Sequence, residues 1–130
     1  MKLPKFCLGA LLWVGFFITH PAGGLAQDQG ELWEQGEKIY AARCADCHRR
    51  NGQGLPNVFP ALAQNGFVTG DPQGVIQILL EGRRGSMGRM PAWKALLNDQ
   101  QIAAVSTYIR QAWGNQATAV TPEMVAKQRR

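Results

Sequence analysis

Cys44-Ala45-Asp46-Cys47-His48 constrains this 130-residue chain more than any other stretch. Two cysteines separated by two residues, with histidine directly after the second, form the pattern of a c-type haem attachment site. On a helical turn, residues i and i+3 share a face. Cys44 and Cys47 can then reach the two vinyl groups on one side of a porphyrin and hold it as thioethers. His48 follows beneath the iron and offers an imidazole nitrogen as an axial ligand. Other chemistries that use these residue types fit less well. A thioredoxin-like redox pair wants a βαβ pattern beside the C-x-x-C, and none is visible. A zinc site takes about four ligands, more than two cysteines and one histidine supply. A disulfide between Cys44 and Cys47 would close too short a loop to stabilise much.

Residues 1–26 read as a secretory signal. Lys2 and Lys5 give a positive start, Phe6–Ile18 is an apolar run, and Gly24-Leu25-Ala26 suits cleavage before Gln27. The run is short for a membrane-spanning helix and His20-Pro21 closes it; an uncleaved anchor is the alternative. Cys7 lies within the run, so cleavage removes it. Export to the periplasm agrees with the haem motif, because c-type haem is attached outside the cytoplasm in bacteria. The remaining chain is one small domain at 27–115 followed by a polar, basic tail at 116–130. A chain this small is marginal for building a core by itself, and a covalent haem would supply an apolar centre. The formal net charge of +5 falls to about +3 once Lys2 and Lys5 are removed. No basic helix or aromatic–basic alternation points to nucleic acid.

A first helix is expected from about Gly30 to Arg43, with Leu32, Gly36, Ile39 and Arg43 on one face and Trp33 and Tyr40 beside it. Residues 49–65, rich in Gly, Pro and Asn, read as loop. Asp71-Pro72 is a helix start, Val75, Ile76, Leu79 and Leu80 its buried face, and Gly82 its stop. Arg83 to Met90 is a glycine-rich basic loop. A last helix starts at Asn98-Asp99, with Gln101 completing a capping box. Ile102, Val105, Tyr108, Ile109 and Ala112 form its apolar stripe, and Gly114 is its expected C-cap. The tail is expected to be loose, with at most a short helix after Thr121-Pro122. No strand is expected.

After signal removal His48 is the only histidine, so a second axial ligand must be another donor. Met87, Met90 and Met124 are the sulfur candidates, against the alternative that each simply packs. Met90 follows a loop able to cross the haem, precedes Pro91, which restricts its backbone, and is anchored downstream by the capped helix. Met90 is therefore the expected ligand, with Met87 the alternative.

From Leu32 to Asn115 the chain resembles class I c-type cytochromes of bacterial, monohaem type. The elements that carry the resemblance are Gly36-Glu37-Lys38-Ile39-Tyr40 before Cys44, Phe59-Pro60-Ala61-Leu62, Met90-Pro91-Ala92-Trp93, and Tyr108-Ile109-Arg110 near the end. The resemblance implies an all-α small cytochrome c fold. Its N- and C-terminal helices cross at Gly36 and Tyr108, and loops wrap one covalent haem c. It further implies that Pro60 offers its carbonyl to the second His48 nitrogen, with Pro56 a weaker alternative, and that Leu62 packs on the haem. The family's propionate-binding loop has no clear counterpart between Ala63 and Gly70. Trp93 and Arg84 are candidates for that role, against core packing and a solvated face.

The implied function is one-electron transfer between redox partner proteins, a dehydrogenase donor or an oxidase acceptor, with peripheral association at a membrane. The ending of the domain also resembles haem domains of dehydrogenase cytochrome subunits and of respiratory oxidases. A haem-bearing subunit of a larger dehydrogenase is therefore the alternative to a free shuttle. Axial sites filled by His48 and Met90 argue against a haem sensor or peroxidase, and no catalytic residue is expected. Arg49, Arg50, Arg83, Arg84, Arg89 and Lys94 either form a basic rim that steers an acidic partner or are ordinary solubilising charges.

Overall fold

The computed structural model describes residues 24–85 and 88–130. The signal segment before residue 24 and the alternative ligand Met87 lie outside the described residues.

Helix α1 (Gly24–Arg43) starts earlier than its apolar pattern implies and runs straight into the motif. Its buried face is Leu32, Gly36 and Tyr40, while Arg43, expected on that face, is exposed. A single turn, α2 (Ala45–His48), carries Cys47 and His48. Farther along come α3 (Gly66–Thr69), capped by Asn65, and α4 (Pro72–Glu81), whose Asp71 side chain accepts from the Gln73 N–H as an N-cap. Helix α5 (Asp99–Gln111) begins with the full capping box, Asn98 and Gln101 each bonding the other's backbone N–H. It ends sooner than expected. Ala112, not Gly114, is the C-cap, and Trp113 and Gly114 both take positive φ.

Two short strands, β1 (Arg83–Arg84) and β2 (Arg89–Met90), form an antiparallel ladder pairing Arg83 with Met90 and Arg84 with Arg89. The expectation of no strand missed this ladder, because two residues are too few to show an alternating pattern. Gly82 sets it up. Its φ of +73° turns the chain out of α4, and a Cβ there would meet the Met90 carbonyl at 2.6 Å.

The core lies where α1 crosses α5. A Cβ built on Gly36 would fall inside the Ala104 carbonyl and at 2.8 Å from Tyr108 Cβ. The two backbones therefore meet with no side chain between them. Trp33 and Tyr40 pack on Tyr108 with ring centroids 5.0 and 5.3 Å apart, and Trp113 closes the cluster 4.9 Å from Tyr40.

The tail is not loose. Helix α6 (Pro122–Gln128), capped by Thr121, packs on α5, and Val120 and Val125 are fully buried. Thr107 on α5 exchanges hydrogen bonds with the Val120 backbone at 2.9 and 3.3 Å. Residues 102–110 of α5 are consequently buried on every side, beyond the single stripe expected. Arg110, only 1% exposed, donates to the carbonyls of Val68, Gly70 and Thr118 at 2.7–3.0 Å. Burial pushes its guanidinium below its ordinary pKa.

Candidate haem site

The site grows from the end of α1. Backbone bonds from Cys47 and His48 N–H to the Cys44 carbonyl, at 3.2 and 2.9 Å, close the turn that sets the motif's three side chains. Cys44 is buried and Cys47 exposed, and both are free thiols. Burial, with a smaller contribution from Cys47, pushes the Cys44 thiol up to about 12, so it is neutral at neutral pH.

His48 is buried, and its Nδ1 lies 3.0 Å from the Pro60 carbonyl oxygen. A carbonyl only accepts, so the proton sits on Nδ1 and the Nε2 lone pair is left to bind a metal. Pro56 lines the same cavity, but Pro60 holds the imidazole. The loop between them is folded by its own backbone. Gly54 N–H donates to the His48 carbonyl at 2.9 Å, and Leu62 and Ala63 N–H both donate to Gly52 at 2.7 and 3.0 Å.

Three further residues fix this loop from outside. Tyr40 Oη donates to the Arg49 carbonyl at 2.7 Å and Trp113 Nε1 to the Arg50 carbonyl at 2.9 Å. Buried Asn115 donates to the Leu62 and Ile109 carbonyls at 3.0 and 2.8 Å and accepts from Gln64 N–H at 2.8 Å. Sequence reasoning missed Asn115 as a site-building residue. Its partners at Leu62 and Gln64 lie 53 and 51 residues away in sequence, so no local signal marked it.

Together these elements enclose a cavity of about 730 Å³, within the range of small-molecule sites. Cys44, Cys47, His48, Leu62 and Met90 all line it. Trp93 lines it as well and is half-buried, whereas Arg84 is exposed and the arginines on the lining are Arg43, Arg83 and Arg89. Met124 lies on α6 and is not part of the lining.

The residues present fit a covalently bound haem. Two free thiols, an imidazole with its Nδ1 engaged, and a thioether face one largely apolar cavity of suitable size. Among the described residues no cluster of three His, Cys, Asp or Glu side chains is arranged to hold a bare metal ion. That donor set suits iron already carried by a porphyrin.

The comparisons with known proteins agree. Residues 31–109 match the family described as cytochrome C oxidase, cbb3-type, subunit III. Cytochrome c-552 of Thermus thermophilus is 41% identical over 107 residues, covering 72% of this chain and 67% of that protein. The gluconate 2-dehydrogenase cytochrome c subunit of Pantoea cypripedii is 38% identical over 112 residues, 78% of this chain but only 25% of that protein. The crystal structure of the c-type cytochrome XoxG from Methylobacterium extorquens AM1 shares the fold. Its TM-score is 0.50 at 22% identity, covering 76% of this chain and 67% of that one. The match across 31–109 takes in the motif turn, its supporting loop and both crossing helices, and by it the chain belongs to this c-type cytochrome family, as an electron carrier with covalently bound haem c.

Proposed function

We propose that Cys44 and Cys47 anchor the haem as thioethers, and that His48 Nε2 and the Met90 sulfur are its axial donors. Pro60 orients the imidazole and Leu62 packs on the porphyrin. The observation that carries this reading is that His48, held at Nδ1 by the Pro60 carbonyl, shares one cavity with Met90. When bound, the haem supplies a one-electron Fe(II)/Fe(III) couple. The chain does the rest. The Pro60 bond fixes the ring's orientation and tautomer. The neutral thioether and the low dielectric of the apolar lining favour the reduced state. His48 and Met90 would hold the iron between them, and the group so held would supply electron transfer rather than oxygen or peroxide chemistry.

The carrier works as a diffusing shuttle in the periplasm, exported by residues 1–26 and docking transiently with a donor and an acceptor. No described helix is long and apolar enough to cross a membrane. Cleavage after Ala26 would trim only the start of α1 and leave Leu32 and Gly36 at the crossing. The extent of the match to cytochrome c-552 supports a small independent carrier. A second reading, a haem module serving a dehydrogenase, draws on the relatives named as gluconate and alcohol dehydrogenase cytochrome subunits, of which this chain spans about a quarter or less. Gentle osmotic-shock extraction followed by size exclusion at low salt, tracking haem absorbance, separates the two. The shuttle elutes at the size of one small domain. A haem peak travelling with a much larger protein makes the chain a subunit, and haem left in the membrane fraction contradicts the free carrier.

A further inference from the structure

Building on the reading of Met90 as the sulfur ligand, we infer that Arg129 is a positioning residue that clamps the segment following Met90 and so holds the sulfur in place. The Met90 segment is tied down at its start. Met90 pairs with Arg83 in the ladder, Trp93 N–H donates to the Leu79 carbonyl at 2.8 Å, and Lys94 N–H donates to the Leu80 carbonyl at 3.3 Å. Beyond Lys94 the chain leaves α4. It makes a local turn in which Leu96 and Leu97 N–H both donate to the Trp93 carbonyl at 2.9 Å, and Leu96 is 65% exposed. The Lys94–Glu81 pair is solvent-exposed and holds little.

Arg129 supplies the missing hold. Its Nη1 donates to the Lys94 carbonyl at 2.7 Å, its Nη2 to the Leu97 carbonyl at 2.9 Å, and its Nε pairs with Asp99 at the start of α5. One rigid planar fork thus bridges both ends of the turn and the first residue of the next helix, a geometry that lysine cannot reproduce. The fork stands on firm ground. Helix α6 is capped by Thr121 and rooted by fully buried Val125. Release of the sulfur from iron requires the Met90 segment to move, and the fork biases that two-state element toward the closed arrangement.

The test uses the full haem-loaded ferric protein, titrated with imidazole as a competitor for the sulfur position. The readouts are loss of the iron–sulfur charge-transfer band and the apparent imidazole affinity. Arg129→Ala retains the band without competitor and binds imidazole about tenfold more tightly, the scale of one lost charge-assisted hydrogen bond. Arg129→Lys gives an intermediate affinity, and carries the test should the alanine variant fail to mature. Gln128→Ala, which removes an exposed hydrogen bond from α6 to the Gln73 carbonyl at 2.9 Å without touching the clamp, leaves the affinity unchanged. Wild-type affinity in both Arg129 variants overturns the inference. So does an equal rise in Gln128→Ala, which would mean general loosening of α6. Absence of the charge-transfer band from the wild-type protein overturns the Met90 reading itself.

Discussion

Gly36 and Ala104 touch backbone to backbone where α1 crosses α5, leaving no room for a Cβ on Gly36. Gly36→Ala therefore forces the helices apart. Overpacking of this kind costs about 1–3 kcal/mol. Gly30, on the same helix, has nothing within 4 Å of a built Cβ and lies in the first turn left by cleavage after Ala26, so Gly30→Ala changes stability by less than about 0.5 kcal/mol. Thermal melts of the haem-loaded variants, followed by circular dichroism, should show a lowered midpoint for Gly36→Ala and little change for Gly30→Ala. Equal shifts would mean that the crossing is not tight.

Arg110 joins α3 to the segment leading into α6, donating to the buried Val68 carbonyl and to the carbonyls of the more exposed Gly70 and Thr118. Removing the guanidinium leaves the buried Val68 carbonyl without its partner. Arg110→Met is expected to cost about 1–3 kcal/mol, the scale for leaving a buried acceptor unsatisfied. Arg110→Lys should recover little, because one ammonium cannot span the same carbonyls. Chemical denaturation checks both, and a loss under 1 kcal/mol in Arg110→Met would contradict the account.

These two residues also mark what the sequence made legible. The crossing glycine sits where the resemblance to c-type cytochromes implies, and the C-x-x-C-H turn is legible from its own local spacing. The caps at Asp71 and Asn98 are equally local, since each bonds a backbone within three residues. Arg110 depends on α6 covering the outer face of α5, and the tail has only two fully buried apolar anchors, Val120 and Val125, to announce that. An arginine in an amphipathic helix reads as a solvated charge until its neighbours are known. The Asn115 bonds to Gln64 and Leu62 span 51 and 53 residues of sequence, beyond the reach of any local pattern.

Tyr40 links stability to pH. Its hydroxyl donates to the Arg49 carbonyl, and burial, followed by Cys44 and Tyr108, raises its pKa well above the ordinary value. A group with a raised folded-state pKa stabilises fully below its unfolded value, and that contribution fades as pH climbs beyond it. Stability should thus hold through neutral pH and decline above about 10. Tyr40→Phe loses about 1 kcal/mol at pH 7 with the hydrogen bond, and declines less steeply in alkali. Denaturant melts at pH 7 and pH 11 test this. Parallel slopes for the two proteins would assign the decline to other groups.

Arg83 and Arg89 reach the cavity lining from the exposed ladder, with Arg84 beside them. If this face meets an acidic partner, electron-transfer rates fall steeply with ionic strength. Arg83→Ala with Arg89→Ala flattens that dependence in stopped-flow measurements with the physiological partner. A flat profile for the wild-type protein would make these arginines ordinary surface charges.

The central claim is that His48 and Met90 together hold the haem iron, and optical spectroscopy with redox potentiometry of Met90→Ala tests it most directly. The variant should keep its covalent haem, lose the iron–sulfur charge-transfer band and titrate at a lower potential than the wild-type protein. A Met90→Ala protein that retains both the band and the potential, while Met87→Ala loses them, would contradict the assignment.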